Sequence, residues 1–148
     1  MKEVILCKYG EIVLKGANRS YFEGILTREL KRRAKKYGNF KISHMQSTVY
    51  IEPLDEYADF EGMYEAVGKV FGIAAYNRAA VCEKDIDDIM RTAAEYIPSA
   101  FAGKKTFKVE AKRSDKRFAL TSPQICAEVG GVLLEAAPYM RVDVREPD

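Results

Sequence analysis

The order of apolar and polar positions divides the chain into short blocks. Glu3-Val4-Ile5-Leu6-Cys7-Lys8-Tyr9 is a brief apolar run closed by Gly10, which predicts a strand. Glu11-Ile12-Val13-Leu14-Lys15 sits between Gly10 and Gly16 and reads as a loop or a short irregular extension. Asn18-Arg19-Ser20 opens a helix, with Phe22, Ile25, Leu26, Leu30 and Ala34 recurring at helical spacing. Arg28, Lys31, Arg32, Lys35 and Lys36 take its other face. Ser20 and Glu23 have capping-box spacing, and Gly38 is expected to end the helix. Phe40–Ser43 and Thr48–Ile51 predict two strands, turning through His44-Met45-Gln46-Ser47 and stopped by Pro53. A second helix is expected from about Asp59 to Val70, closed by Gly72. Its inner side takes Phe60, Met63, Tyr64, Val67 and Phe71. Ile73–Ala80 is a further apolar run. The resulting order, β-α-β-β-α-β, is the split βαβ arrangement of ferredoxin-like domains.

The pattern then restarts. Asp85 can cap a helix to about Ile97, with Ile86, Ile89, Met90, Ala93 and Ile97 inward and Pro98 just past its end. Thr106–Lys112 alternates Phe107, Val109 and Ala111 with Lys108, Glu110 and Lys112, as a half-exposed strand does. Arg113–Leu120 is a charged loop. The next helix starts in one of two ways: Ser122 caps with Pro123 first in the helix, or Thr121 caps with Gln124 three residues on. Ile125, Val129, Val132, Leu133 and Ala136 form its inner face, Pro138 ends it, and Met140–Val144 begins a strand. The fold class expected is α+β, with domains at 1–79 and 80–148. Two helices need a wider sheet than this second set of strands supplies, so the second domain is expected to be incomplete at its C-terminal end.

Composition excludes several classes. The chain has 148 residues, of which 47% are hydrophobic and 31% charged, enough apolar material for packed cores. No apolar run nears the roughly 18 residues of a membrane span, and no secretory signal pattern opens the sequence. Cys7, Cys82 and Cys126 are odd in number and lack Cys-x-x-Cys spacing, so a reducing cytoplasm is the expected compartment. The net charge of +2 is a cancellation. Residues 1–50 carry 11 Lys/Arg against 4 Asp/Glu, residues 51–100 carry 4 against 11, and residues 101–148 carry 9 against 7. Charge segregated in this way raises the question of nucleic acid.

Candidate chemistry is sparse. Neither G-x-x-x-x-G-K-[ST] nor G-x-G-x-x-G occurs, and a single histidine excludes a multi-His metal site. A nucleophile triad would have to use His44, in a hairpin turn without an acid to orient it. Asp85, Asp87 and Asp88 fall in a helix's first turn, where the helix dipole accounts for them. No catalytic residue or metal ligand is therefore assigned. Two basic stretches remain. Lys15-Gly16-Ala17-Asn18-Arg19 feeds a helix N-terminus, a place suited to phosphate and equally to ordinary turn chemistry. Lys104–Arg117 holds seven Lys/Arg and two acids in 14 residues. Phe118 follows, either as a core anchor or as a stacking surface for an unpaired base.

Lys8-Tyr9-Gly10-Glu11, then Leu14-Lys15-Gly16, Asn18-Arg19 and Phe22, resembles the opening of the tRNA 4-thiouridine synthetases, the tRNA sulfurtransferases of thiamine-biosynthesis type. Lys112-Arg113-Ser114-Asp115-Lys116-Arg117-Phe118, then Thr121-Ser122 and Gly130, is similar to the RNA-binding THUMP domain of the same family. The resemblance implies a ferredoxin-like βαββαβ domain followed by an α/β THUMP domain, together holding a tRNA by its acceptor stem and 3′ end. A third domain, with a pyrophosphatase loop absent here, would adenylate a uridine using ATP and magnesium. Persulfide sulfur from a cysteine desulfurase would then replace the uridine oxygen, and the same sulfur route would serve thiamine thiazole. The resemblance also implies a homodimer. Carried over to this sequence, Lys112, Arg113, Lys116 and Arg117 would contact phosphates. Phe118 and Ser122 would shape the pocket for the 3′ end, and Lys15, Asn18 and Arg19 would support it. Two other readings stand beside this one: the RNA module of a THUMP methyltransferase, or a ferredoxin-like interaction module without RNA.

Overall fold

A computed structural model describes residues 2–11 and 18–148, which divide into two compact units, Met1–Val81 and Cys82–Asp148. The first unit runs β1 (Glu3–Tyr9), α1 (Arg19–Ala34), β2 (Phe40–Met45), β3 (Thr48–Pro53), α2 (Phe60–Val67) and β4 (Ile73–Ala80). The sheet order is β2-β3-β1-β4 with every pair antiparallel. Each helix thus connects two strands that have a third lying between them, the interleaved split βαβ pattern expected from the sequence.

Alternation along β1 sends Ile5, Cys7 and Tyr9 to the helix-covered face. There Ile5 sits opposite Ile51 and Cys7 opposite Val49. Leu26, Leu30 and Ala34 of α1 and Met63 and Val67 of α2 close that core. Arg78 of β4 also lies on this side. Its guanidinium stacks over the Phe60 ring at 5.0 Å and pairs with Glu3 and Glu61, so a cation completes the edge of an apolar layer.

Several boundaries differ from the sequence reading. Helix α1 begins at Arg19, one residue before Ser20, so Ser20 lies inside the first turn and makes no cap. Asn18 takes the N-cap place without a side-chain bond, and Glu23 pairs instead with Arg19 at 2.6 Å. The helix ends at Ala34 rather than at Gly38, and three turn residues intervene. Helix α2 likewise stops at Val67, with Gly68 as its C-cap, so Phe71 falls outside the helix and is 84% exposed rather than inward. The hairpin turn is shorter than expected. His44 and Met45 belong to β2, and the reversal uses Gln46 (φ 55°) and Ser47.

Gly38 has its own task. Its φ is +126°, and a Cβ there would stand 2.8 Å from the Ala58 Cα. The neighbouring backbone is tied down, with Asp59 N–H donating to the Tyr37 carbonyl at 2.6 Å. Gly38→Ala should therefore destabilise the first unit by about 3 kcal/mol through strain and backbone contact together. Urea unfolding of the variant checks this, and a loss below about 1 kcal/mol would show that the turn relaxes.

The second unit contains α3 (Ile86–Ala100), β5 (Thr106–Phe107), α4 (Ser122–Ala136) and β6 (Arg141–Val142). Strands β5 and β6 are parallel, with Thr106 opposite Arg141 and Phe107 opposite Val142. Phe107, Val129, Leu133, Ala137 and Met140 form the core, covered by Ile89, Ala93, Ile97 and Phe101 from α3 and the residue after it. Helix α3 runs through Pro98 rather than stopping before it. The expected strand 106–112 has only two ladder residues, because β6 is equally short and no other strand pairs with it among the described residues. The alternation itself persists: Phe107, Val109 and Ala111 are turned inward while Lys108, Glu110 and Lys112 are exposed. The strand begun at Met140 shrinks to Arg141–Val142, and Ala137 takes the buried place expected for Ala136. Of the two starts considered for α4, the structure has the Thr121 cap. Gln124 N–H donates to Thr121 Oγ1, and Thr121 N–H donates to Gln124 Oε1 at 2.8 Å.

Candidate nucleic-acid interface

The second unit's loop follows from its sequence. Once β5 loses its partner, residues 108–121 have neither helix nor strand, although alternating exposure persists to Ala111. Such a stretch must satisfy its own backbone groups. Arg113 does part of this: it is half-buried, and Nη1 donates to the carbonyls of Phe118 and Leu120, both at 3.1 Å. Asp115 adds a further tie. Oδ1 accepts from the Arg117 N–H at 3.0 Å, and Oδ2 accepts from Lys84 Nζ at 2.9 Å. The Lys84 hydrogen bond, then those of Arg117, hold the Asp115 carboxyl down at about 2.

The cations are not equivalent. Lys112 and Lys116 are exposed and engage no described side chain. Arg117 has a side chain 92% exposed, with Nε 3.3 Å from Asp115. Lys108 is paired with Glu110 at 2.8 Å, which offsets its charge. Phe118 is half-buried and borders a cavity of about 250 Å³, with Lys84, Asp85, Ile86, Asp115 and Arg117 also around it. Ser122 is the first residue of α4, just beyond the loop. Arg113, expected among the phosphate contacts, has one guanidinium nitrogen committed inward to loop carbonyls.

In the first unit, Lys15 lies outside the described residues. Asn18 is exposed, and its carbonyl accepts the Phe22 N–H at 3.1 Å. Arg19 is held by Glu23 and by Ser47 Oγ, which its Nη2 reaches at 3.1 Å. Behind this pair runs a hydrogen-bond chain that the sequence did not reveal. Thr27 Oγ1 donates to the Glu23 carbonyl at 2.8 Å, so it accepts from His44 Nε2 at 2.7 Å. His44 Nδ1 in turn shares a hydrogen bond with the Tyr9 hydroxyl at 2.5 Å. Both ring nitrogens of His44 are thus engaged, Nε2 by Thr27 and Nδ1 by Tyr9. His44 is a tie between β1, β2 and α1, not a turn residue. Burial first, then the Glu23 charge, pushes the Tyr9 phenol up to about 12.

The other sequence candidates are accounted for locally. Glu29 receives Arg32 and Arg33 from the basic face of α1, and its carboxyl falls to about 2 through those bonds. Asp85 caps α3 by accepting the Asp88 N–H, while Asp88 accepts from Glu83 N–H and Arg91. The cysteines are all free, and burial pushes the Cys7 thiol up to about 12. Among the described residues no cluster of His, Cys, Asp or Glu is arranged to hold a metal, and no helix is long and apolar enough to cross a membrane.

These features define a class: an interleaved four-stranded α+β unit followed by a small α/β unit that presents a prebuilt basic loop. The chain belongs to the family of ThiI ferredoxin-like domains, whose profile matches residues 4–77, and a THUMP domain profile matches residues 83–148. A probable tRNA sulfurtransferase of Acetivibrio thermocellus is 41% identical over 150 residues, covering 100% of this chain and 38% of that protein. One of Alkaliphilus metalliredigens is 43% identical, again across 100% of this chain and 38% of the relative. Among solved structures, a 4-thiouridine synthetase–RNA complex with bound ATP superposes with a TM-score of 0.80 at 27% identity, covering 100% of this chain and 37% of that one. The chain thus spans well under half the length of the proteins it matches.

Proposed function

We propose that this chain is the tRNA-holding part of a sulfurtransferase that makes 4-thiouridine. It grips the acceptor stem and 3′ end, while uridine activation and persulfide transfer take place on residues beyond these 148. The observation that carries the reading is the Lys112–Phe118 loop: exposed cations on a loop already shaped by Arg113 and Asp115, beside a half-buried aromatic. Phosphates suit the cations and an unpaired base suits Phe118. The names of the relatives favour thiolation over methylation. In this reading ATP and magnesium serve the activation step, a cysteine desulfurase delivers the sulfur, two chains pair, and the work is done in the cytoplasm.

Titrating labelled tRNA at several salt concentrations tests the proposal. With four to six phosphates neutralised, log K against log[salt] should fall with a slope of about −3 to −4, at roughly −0.7 per single-strand phosphate. A flat dependence, or no complex at low salt, removes the reading. Footprinting separates it from a protein-docking role, because protection should fall on the 104–122 region and not on the acidic 51–100 segment.

A further inference from the structure

Asp115 is the one acid between Lys112 and Arg117, where a polyanion gains nothing from a negative charge. It is nevertheless the most connected side chain of the loop. Its carboxylate binds Lys84 Nζ at 2.9 Å, the Arg117 N–H at 3.0 Å and Arg117 Nε at 3.3 Å. Its own carbonyl accepts the Phe118 N–H at 3.2 Å. Lys84 immediately precedes Asp85, the N-cap of α3, so the Lys84–Asp115 bond fastens the loop to the start of a helix. Arg113 fastens the other side through the Phe118 and Leu120 carbonyls. The segment bearing Lys116, Arg117 and Phe118 has no ladder or helix of its own, and these few bonds fix its shape.

We infer that Asp115 is a positioning residue for RNA binding: it opposes the ligand by charge and favours it by holding the loop in its binding shape. The inference rests on the function proposed above. Its physical content is a contest of two effects with opposite signs. Removing the carboxylate raises the net charge by one and frees Lys84 and Arg117, which by electrostatics alone tightens binding to phosphate. The same change leaves the loop to be ordered when RNA arrives, and the entropy of ordering a few residues exceeds the gain from one charge.

The test compares Asp115→Ala with Asp115→Asn in the 148-residue chain, using tRNA at about 0.15 M salt. Both variants remove the same charge, but Asn keeps an acceptor for the Arg117 N–H. The alanine variant should bind about tenfold more weakly and exchange its Arg117 and Phe118 amide protons faster in the free state. The asparagine variant should recover at least threefold of that loss. If both variants bind equally, and at least as tightly as the parent, Asp115 acts only as a charge and the inference falls while the proposed function stands. If the parent itself binds no tRNA, both fall. Should the alanine variant melt the second unit, the asparagine variant decides alone: weaker binding than the parent supports positioning, and tighter binding overturns it.

Discussion

Replacing Leu30 by alanine should lower the melting temperature of the first unit by roughly 12–24 °C and leave the second unit nearly unchanged. Leu30 is fully buried in the C-terminal half of α1, in one core with Ile5, Ile51 and Met63. Truncation there loses the transfer energy of the side chain and leaves a cavity, together about 3 kcal/mol. A unit of this size has only about 4–12 kcal/mol of stability, so the loss is a large fraction of the total. The selectivity follows from the cores: the cluster around Leu30 and the cluster around Phe107 and Leu133 have no residue in common. Amide hydrogen exchange measured in both units checks it. Equal loss of protection in α1 and α4 would contradict the division of the chain into two cores.

The second large effect concerns binding. Replacing Lys112, Lys116 and Arg117 together by alanine should weaken tRNA binding about fiftyfold at 0.15 M salt and flatten the salt slope by about two units, since each phosphate contact is worth roughly 0.7 in that slope. These three side chains are exposed, so folding should be preserved. Arg113 is excluded from the set because its loss would release the Phe118 and Leu120 carbonyls and mix a shape effect with a charge effect. Fluorescence titration against thermal melting separates the two. Undiminished affinity in a folded variant would move the binding surface elsewhere.

Much of the architecture was legible in the sequence because it rests on local periodicity. Strand β4 was read with its observed ends, and the βαββαβ order followed from the alternation of blocks. The errors share a cause, namely competition between local signals and partners far along the chain. Ser20 and Glu23 have the spacing of a cap, yet Glu23 goes to Arg19, which is itself anchored on Ser47 from the β2–β3 turn. Residues 108–112 alternate like a strand but lack a ladder, since pairing depends on β6. The basic loop was equally legible as charge, whereas the division of labour inside it was not. Nothing in the spacing says that Arg113 turns inward, or that Lys84, 31 positions before Asp115, reaches that carboxylate.

The strand order of the first unit also bears on how the chain is made. β1 lies inside the sheet, bonded to β3 on one side and β4 on the other. Its seven residues are made well before their final partner, Ile73–Ala80, which comes some seventy residues later. At roughly 5–20 residues per second, Ile5 and Cys7 wait about 4–14 s before both neighbours exist. β3 is complete at Pro53 and can cover one edge earlier, but the other edge of this apolar strand stays open until β4 is made, an exposure that favours aggregation. The unit can close only once β4 has left the ribosome.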